Sequence, residues 1–148
     1  MAIIPKKNQY ALRAIFELAK HLGKGPQKIS EIAEAQRIPL RFLEVILSQL
    51  KASGWVESKR GFYGGYYLTS SPTDISVGDI MRFMQSSPNQ VDCVACISKR
   101  DCPFNGNCAF ASMWKQVNDA MFKVYNETTI QDLINNEKTI IRRKANRK

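Results

Sequence analysis

The feature that limits the fold of this chain most is a pair of short β-prone runs at 55–60 and 66–69. The turn between them is Gly61-Phe-Tyr-Gly-Gly65, and glycine allows a sharp turn because it lacks a Cβ atom. Two such runs around a glycine-containing turn predict a β-hairpin. The tip of this hairpin is basic as well as aromatic, since it carries Lys59 and Arg60.

Three helices are predicted ahead of the hairpin. The first covers 8–22, where apolar residues recur at helical spacing: Ala11, Ala14, Ile15, Leu18 and Leu22. A short second helix is expected to start near Ser30, which is a favourable N-cap residue. A third runs from about 39 to 52, because proline is accepted at the first helical position and Pro39 stands there.

The third helix has two faces of different chemistry. One face is apolar and is expected to join the core: Leu43, Ile46, Leu47 and Leu50. The opposite face is expected to be exposed, and three of its four members can form hydrogen bonds: Arg41, Glu44, Val45 and Ser48. Helix, turn, helix and hairpin in this order indicate a winged helix-turn-helix domain that presents the exposed face to DNA.

Two further helices are predicted after the hairpin. Residues 76–86 have clear start signals, because Asp79 follows Ser76 by three residues as in a capping box. Residues 109–125 form the longest amphipathic pattern in the chain, with an apolar row on one face: Phe110, Met113, Trp114, Val117, Ala120, Met121 and Val124.

The last helix is expected to be short and to start at Thr129, with Asp132 completing a second capping box. The segment from Lys138 to Lys148 contains six basic residues and no acidic one, so we expect a mobile basic tail. The predicted fold class is therefore mainly α with a small β-hairpin.

Charge points to a polyanionic partner, since the chain of 148 residues carries a formal net charge of +9 and has a pI of about 9.6. The chain shows no signal peptide and no run approaching the ~18–20 apolar residues of a membrane helix, which predicts a cytoplasmic protein without a membrane partner. Thiols stay reduced in that compartment, so the cysteines are expected to be metal ligands or redox thiols. Because no nucleophile–base pair or phosphate-binding loop is present, we expect no enzyme activity.

Four cysteines stand in the pattern Cys-x2-Cys-x5-Cys-x5-Cys at Cys93, Cys96, Cys102 and Cys108. Thiolates this close in sequence can converge on a metal, and soft thiolate ligands favour zinc or an iron–sulfur cluster. The spacing alone does not choose between these two. A thiol-redox enzyme built on Cys93 and Cys96 is disfavoured, because no βαβ unit surrounds them.

Several motifs resemble one bacterial family, the IscR/NsrR/CymR-type winged-helix transcriptional regulators. They include the wing motif and segments of the first three helices: Tyr10-Ala-Leu-Arg13, Ser30-Glu-Ile-Ala33, Ile38-Pro-Leu-Arg-Phe-Leu-Glu44 and Lys59-Arg-Gly-x-x-Gly-Gly-Tyr-x-Leu68. The resemblance covers nearly all of the chain up to about residue 137. It implies a homodimer, joined by a long helix at 109–125, that binds a roughly palindromic double-stranded DNA operator.

For DNA contacts, the resemblance implies Arg41, Phe42 and Glu44 in the third helix and Arg60 in the wing. The exposed face of the helix adds Ser48, and the basic hairpin tip adds Lys59, as candidates from the residue pattern. This chain has Pro39 and Arg41 where the family has small polar residues, so the resemblance does not predict the operator sequence.

For the metal, the resemblance implies three ligands, and the spacing of Cys96, Cys102 and Cys108 matches cluster-binding members. Their fourth ligand falls on Ala111 or Gln9 here, and neither is suitable, so Cys93 is the candidate to complete an all-cysteine site. Cys93 could instead be the family's first ligand, with Cys96 as the extra thiol. The expected cofactor is an iron–sulfur cluster, 4Fe–4S in preference to 2Fe–2S. Structural zinc and metal-free redox thiols remain the alternatives.

With the resemblance included, the chain divides into four parts. Residues 1–87 form the winged helix-turn-helix domain, and 88–108 form the cysteine loop. Residues 109–137 contain the dimerisation helix and the C-terminal helix, and 138–148 form the basic tail.

Overall fold

Six α-helices and one antiparallel hairpin occur in the described part of the chain, which comprises residues 4–85, 104 and 107–147 of a computed structural model. In chain order the elements are α1 Lys6–Lys20, α2 Ile29–Gln36, α3 Leu40–Lys51, β1 Val56–Lys59, β2 Gly65–Leu68, α4 Val77–Met84, α5 Ala111–Glu127 and α6 Ile130–Ala145. This architecture confirms the predicted mainly α fold with a small hairpin.

Helix α1 lies at the centre of the fold and contacts α2, α3, α4 and α6. Its predicted apolar face is confirmed as core for Ala11, Ala14, Ile15 and Leu18, which are all buried. The prediction fails at Leu22, which is 46% exposed. Since α1 ends at Lys20, Leu22 lies past the last helical turn and leaves the buried face.

Helix α2 begins earlier than its sequence suggested, because Lys28 and not Ser30 occupies the N-cap position. The Lys28 backbone N–H donates to Glu31 Oε2 at 3.0 Å, which satisfies an amide that the helix leaves unpaired. At the other end Arg37 adopts a left-handed conformation, with φ of 51°. The Ile38 N–H then donates to the Ala33 carbonyl at 2.9 Å, which closes the turn before α3.

The two hairpin strands pair from Val56 with Leu68 to Lys59 with Gly65. Val56 and Leu68 are buried and fix the base of the hairpin to the core. Tyr66 of β2 also forms an isolated bridge with Gln27, so the segment before α2 extends the sheet. Gly65 is required there, because a Cβ atom on it would collide with the Gln27 carbonyl.

The N-termini of α4 and α6 lie side by side, joined by an isolated bridge between Ser76 and Thr129. Both predicted capping boxes are confirmed: Ser76 pairs with Asp79 and Thr129 pairs with Asp132. The expectation that the last helix is short is wrong, since α6 continues to Ala145 and includes most of the segment predicted as a mobile tail. Its final basic residues suit the negative end of the helix dipole.

Helix α5 has no buried residue in the isolated chain, although its sequence predicted a wide apolar face. Most of the apolar row is exposed, including Phe110 by 62%, Met113 by 44%, Val117 by 49% and Val124 by 61%. Trp114 and Met121 of the same row are half-buried. Within the chain α5 packs against α4. None of the helices in the described ranges is long and apolar enough to cross a lipid bilayer.

Candidate nucleic-acid interface and cysteine site

Helix α3 presents the polar face that its sequence predicted. Arg41, Glu44 and Ser48 are exposed, whereas Leu43 and Leu47 on the opposite side are fully buried. The buried side locks the orientation of the helix against the core, because interior side chains are close-packed. The exposed side is therefore held in a fixed orientation, as a helix that reads the edges of bases must be.

Phe42, the fourth candidate on α3, is 61% exposed, and its ring lies 6.3 Å from the ring of Tyr10 on α1. Most of the Phe42 side chain is therefore accessible to a partner, with the Tyr10 ring beside it. Among the described residues, neither Arg41 nor Glu44 takes part in an ion pair. Both charged groups remain available to a partner.

The wing candidates Lys59 and Arg60 are exposed at the end of β1. The hairpin that carries them is tied to α3, because Lys51 Nζ donates to Ser58 Oγ at 2.8 Å. A cross-strand hydrogen bond from the Tyr67 hydroxyl to Glu57 Oε2, also 2.8 Å, adds to the pairing of the strands. The structure thus places both wing cations on a hairpin that is attached to α3.

Two residues of the wing tip were absent from the site predicted by sequence. Phe62 is 80% exposed and Tyr63 is 83% exposed, and their rings meet edge-to-face with centroids 5.0 Å apart. Lys28 Nζ lies 5.3 Å from the centre of the Phe62 ring. The signal was present in the sequence as two aromatic residues inside a glycine-rich turn, where no core can cover them.

Of the four candidate metal ligands, only Cys108 falls within the described residues; Cys93, Cys96 and Cys102 lie outside them. Cys108 is half-buried and not in a disulfide. Its carbonyl accepts a hydrogen bond from the Ala111 N–H at 3.1 Å, so the thiol lies just ahead of the first turn of α5. No group of three or more potential ligand residues occurs in the described ranges.

The two positions that the resemblance offered for a fourth ligand supply none. Ala111 is the first residue of α5 and has no donor atom in its side chain. Gln9 instead donates a hydrogen bond from Nε2 to the Ile4 carbonyl at 2.9 Å. The four thiols remain the candidate ligands predicted from the sequence, and thiolate chemistry fits an iron–sulfur cluster and also fits zinc.

A cluster of contacts around Arg82 links α4 to the C-terminal half of α5. Arg82 Nη1 donates to Asn126 Oδ1 at 2.6 Å, and Arg82 Nη2 pairs with Asp79 Oδ1 at 2.9 Å. The guanidinium carbon also lies 5.8 Å from the centre of the Phe122 ring. Gly78 faces Asn126 so closely that any Cβ atom there would collide with it. Helix α5 thus starts beside Cys108 and ends fixed to α4.

A second charged group joins α1, α2 and α6 around the buried Glu17. Gln36 Nε2 donates to Glu17 Oε2 at 2.6 Å, and Lys20 Nζ lies 3.2 Å from both Glu17 Oε2 and Glu137 Oε2. Burial by itself would raise the pKa of Glu17. The hydrogen bonds from Gln36 and Lys20, with the positive charge of Lys20, outweigh burial and hold the pKa below its usual value.

Comparison with known proteins gives one consistent result. The family model Rrf2, described as an iron-dependent transcriptional regulator, matches residues 4–136. The transcriptional regulator IscR of Pectobacterium carotovorum is 32% identical over 137 residues, covering 93% of this chain and 82% of the relative. IscR of Escherichia coli O1:K1 is 31% identical over 137 residues, covering 93% of this chain and 83% of the relative.

Solved structures agree with the sequence comparisons. The structure of T. potens IscR superposes with a TM-score of 0.73 at 32% identity, covering 90% of this chain and 87% of the other. The structure of CymR, the global cysteine regulator of B. subtilis, gives a TM-score of 0.69 at 34% identity, covering 90% of this chain and 96% of the other. These relatives are named as regulators and not as enzymes.

Proposed function

The chain belongs to the Rrf2 family of transcriptional regulators, and from this premise we propose that its operator binding is controlled by an iron–sulfur cluster on its cysteines. DNA binding and transcriptional regulation follow from the family itself. The proposal adds the residues that contact DNA, the assembly that binds it, and the group that controls the affinity. The observation that carries it is the position of Cys108 directly before α5, whose far end is fixed to the DNA-binding domain by Arg82.

Helix α3 enters the major groove of DNA, with Arg41, Glu44 and Ser48 directed to base edges and Phe42 beside them. An arginine can donate two hydrogen bonds to guanine, and a carboxylate can accept one from cytosine, so this face can distinguish sequences. Arg41 and Glu44 need not break an ion pair within the described residues in order to bind.

The wing supplies the second contact, because Lys59 and Arg60 are exposed on a hairpin that Lys51 and Ser58 attach to α3. Cations at a wing can bind phosphates or enter a narrow minor groove, which orients the helix in the neighbouring major groove. The formal net charge of +9 strengthens both contacts at low salt.

The chain functions as a homodimer joined through α5. The exposed apolar side chains Phe110, Met113, Val117, Ala120 and Val124 alternate at spacings of three and four residues. Such a row forms the seam of paired helices and is seldom left open to water. A two-fold dimer presents two α3 helices, so the operator is expected to be a roughly palindromic duplex.

Cys93, Cys96, Cys102 and Cys108 are proposed to hold the cluster. Four thiolates can hold either a 2Fe–2S or a 4Fe–4S cluster, and the proposal takes 4Fe–4S. When bound, such a cluster would link the four thiolates through iron–sulfur bonds, and oxidation, nitrosylation or loss of iron would change or break these bonds. Cys108 attaches this site to the N-terminus of α5.

The two ends of α5 provide the coupling. Cys108 precedes its first turn, and Asn126 in its last turn accepts a hydrogen bond from Arg82 of α4. A change in the position of α5 is thereby transmitted to the domain that carries α3 and the wing. A coupling free energy of about 1–3 kcal/mol is usual between such sites, and it would alter operator affinity by about fivefold to 150-fold.

A metal-free thiol sensor is the second candidate, because the chain is 34% identical to the cysteine regulator CymR and 32% identical to T. potens IscR. The same four thiols would then respond by oxidation alone. A structural zinc site is the third arrangement that this donor set permits.

The test is iron, sulfide and zinc analysis of protein purified without oxygen, together with a visible spectrum. We expect about four irons and four sulfides per chain, as an all-thiolate 4Fe–4S site requires. Single alanine variants of Cys93 and Cys96 then decide which thiols are ligands, since loss of a ligand lowers the iron content. Zinc alone, or no metal, would contradict the cluster and leave DNA binding intact.

A further inference from the structure

The wing tip exposes two aromatic side chains that no element of the described chain covers. Phe62 and Tyr63 are 80% and 83% exposed, the highest values among the exposed large hydrophobic residues of the described chain. Aromatic side chains gain most of their free energy from burial, and adjacent exposed rings mark a surface that another molecule covers. Their edge-to-face contact at 5.0 Å makes them one apolar unit.

The turn that carries this pair is closely constrained. The Gly64 N–H donates to the Gly61 carbonyl at 3.0 Å. A Cβ atom on Gly64 would collide with the Lys59 carbonyl, and Gly61 has φ of 111°, which other residues rarely adopt. The rings are therefore presented by a compact turn at the end of a paired hairpin.

Positive charge surrounds the pair. Lys28 Nζ lies 5.3 Å from the Phe62 ring centre, and Lys59 and Arg60 precede the tip. The acidic residues nearest to Lys59 and Lys28 in sequence form other hydrogen bonds, since Glu57 accepts from the Tyr67 hydroxyl and Glu31 accepts from the Lys28 backbone N–H. The aromatic pair with cations on its flanks is complementary to a DNA groove, because the cations can contact the phosphates along the groove while the rings contact the bases.

We propose that Phe62 and Tyr63 insert as an apolar wedge into the minor groove of the operator, with Lys28 and Lys59 on the flanking phosphates. This rests on the proposed placement of α3 in the adjacent major groove. Apolar side chains that enter the minor groove partly unstack a base step and bend the duplex toward the major groove. Pyrimidine–purine steps open most readily, so the wedge favours such a step at the wing position.

The probe is a duplex of about 30 base pairs, long enough for two half-sites, selected by the wild-type protein from a random-sequence pool. Fluorophores at its two ends report bending by energy transfer, and anisotropy reports affinity. The variants are F62A/Y63A, which removes both rings, and F62L/Y63L, which keeps apolar bulk at the tip. Both side chains are exposed, so folding should persist, and thermal melting verifies it.

We expect F62A/Y63A to bind about tenfold more weakly or worse and to lose the bend, because it cannot hold the unstacked step open. Its salt dependence should match the wild type, since no charge changes, whereas R60A should lower the salt slope by about one. F62L/Y63L should retain most of the bend.

Unchanged binding and bending in F62A/Y63A would overturn the wedge while leaving the regulator assignment in place, and would direct attention to a protein partner for the tip. Failure of the wild-type protein to select any duplex would overturn the proposed function, and the wedge with it.

Discussion

Arg82 donates a hydrogen bond from Nη1 to Asn126 Oδ1 at 2.6 Å, and this bond joins α4 to the last turn of α5. The same guanidinium pairs with Asp79, whose carboxylate also caps α4. One side chain therefore holds the start of α4 and the end of α5 together. We propose that α5 transmits the state of the cysteines to α4 through contacts that include this one.

Replacing Arg82 with alanine should uncouple the cysteine site at the start of α5 from α4, which contacts the end of α5. We expect a modest loss of stability, about 0.5–1.5 kcal/mol, because the hydrogen bond is partly exposed. The ratio of operator affinities with and without the cluster should fall toward one. Fluorescence anisotropy on both forms measures that ratio. Lys123→Ala, at an exposed position on α5, is the control, and an R82A ratio equal to that of the control would contradict the coupling.

Adding a charge to the apolar row of α5 should separate the proposed dimer into monomers. Val117 is 49% exposed in the isolated chain, and Val117→Lys would place a buried charge at the paired seam. We expect a shift from dimer to monomer in sedimentation at micromolar concentration. Gln116→Lys adds the same charge at the neighbouring exposed position and should remain dimeric. A dimeric V117K would show that another surface joins the chains.

Stability should fall in acid partly through Glu17. Hydrogen bonding and the Lys20 charge hold the pKa of this buried carboxyl below its usual value of 4.5 despite burial, so the unfolded chain binds the proton more tightly. The contribution is present above pH 4.5 and is lost as the pH falls through the folded pKa. Glu17→Gln should cost about 1–3 kcal/mol at pH 7 and less in acid.

Chemical denaturation of wild type and E17Q at several pH values measures this difference directly. The carboxyl pKa values of Asp79 and Asp132 are also lowered, so the wild type retains other acid-sensitive contributions, and the difference between the two proteins isolates Glu17. The exposed Glu34→Gln is the control. A wild-type minus E17Q difference that is constant with pH would show that Glu17 is not the group involved.

Gly65→Ala should damage the wing far more than an ordinary glycine substitution. A Cβ atom at this position meets the Gln27 backbone, so the bridge between Gln27 and Tyr66 must open. Gly23→Ala is the matched comparison, because Gly23 has φ of 79° and open space around the added atom. We expect the free energy of unfolding to fall by about 1–2 kcal/mol for Gly23→Ala, from backbone strain alone, and by clearly more for Gly65→Ala. Equal losses by thermal denaturation would show that the collision is relieved cheaply.

Local sequence signals predicted the parts of the fold that depend on neighbouring residues. Ser76 and Thr129 were identified as caps because their carboxylate partners stand three residues on. The helical spacing of the apolar residues in α3 predicts its buried face, and the structure confirms it. The prediction that α2 starts near Ser30 is wrong, because the Glu31 carboxylate accepts a hydrogen bond from the Lys28 backbone N–H and caps the helix there. The prediction of a mobile basic tail is also wrong, since basic residues near a helix C-terminus are compatible with a continuing helix, and α6 runs to Ala145.

Other features depend on residues far apart in sequence and left no local signal. The contact of Arg82 with Asn126 and the bridge of Gln27 with Tyr66 arise only when separate elements pack together. The sequence of α5 predicts an apolar face, but only the folded chain shows that α4 leaves most of this face uncovered. The sequence supplies the four candidate ligands of the metal site, and the described residues add only the position of Cys108 before α5.

Operator affinity, measured without oxygen on one preparation before and after removal of iron and sulfide, tests the central claim most directly. The probe is the duplex selected by the wild-type protein, and the dimer content is verified in both forms. We predict that affinity differs by about fivefold or more between the two forms. Equal affinity for the same duplex would contradict control by the cysteine site, even if the chain binds a cluster and binds DNA.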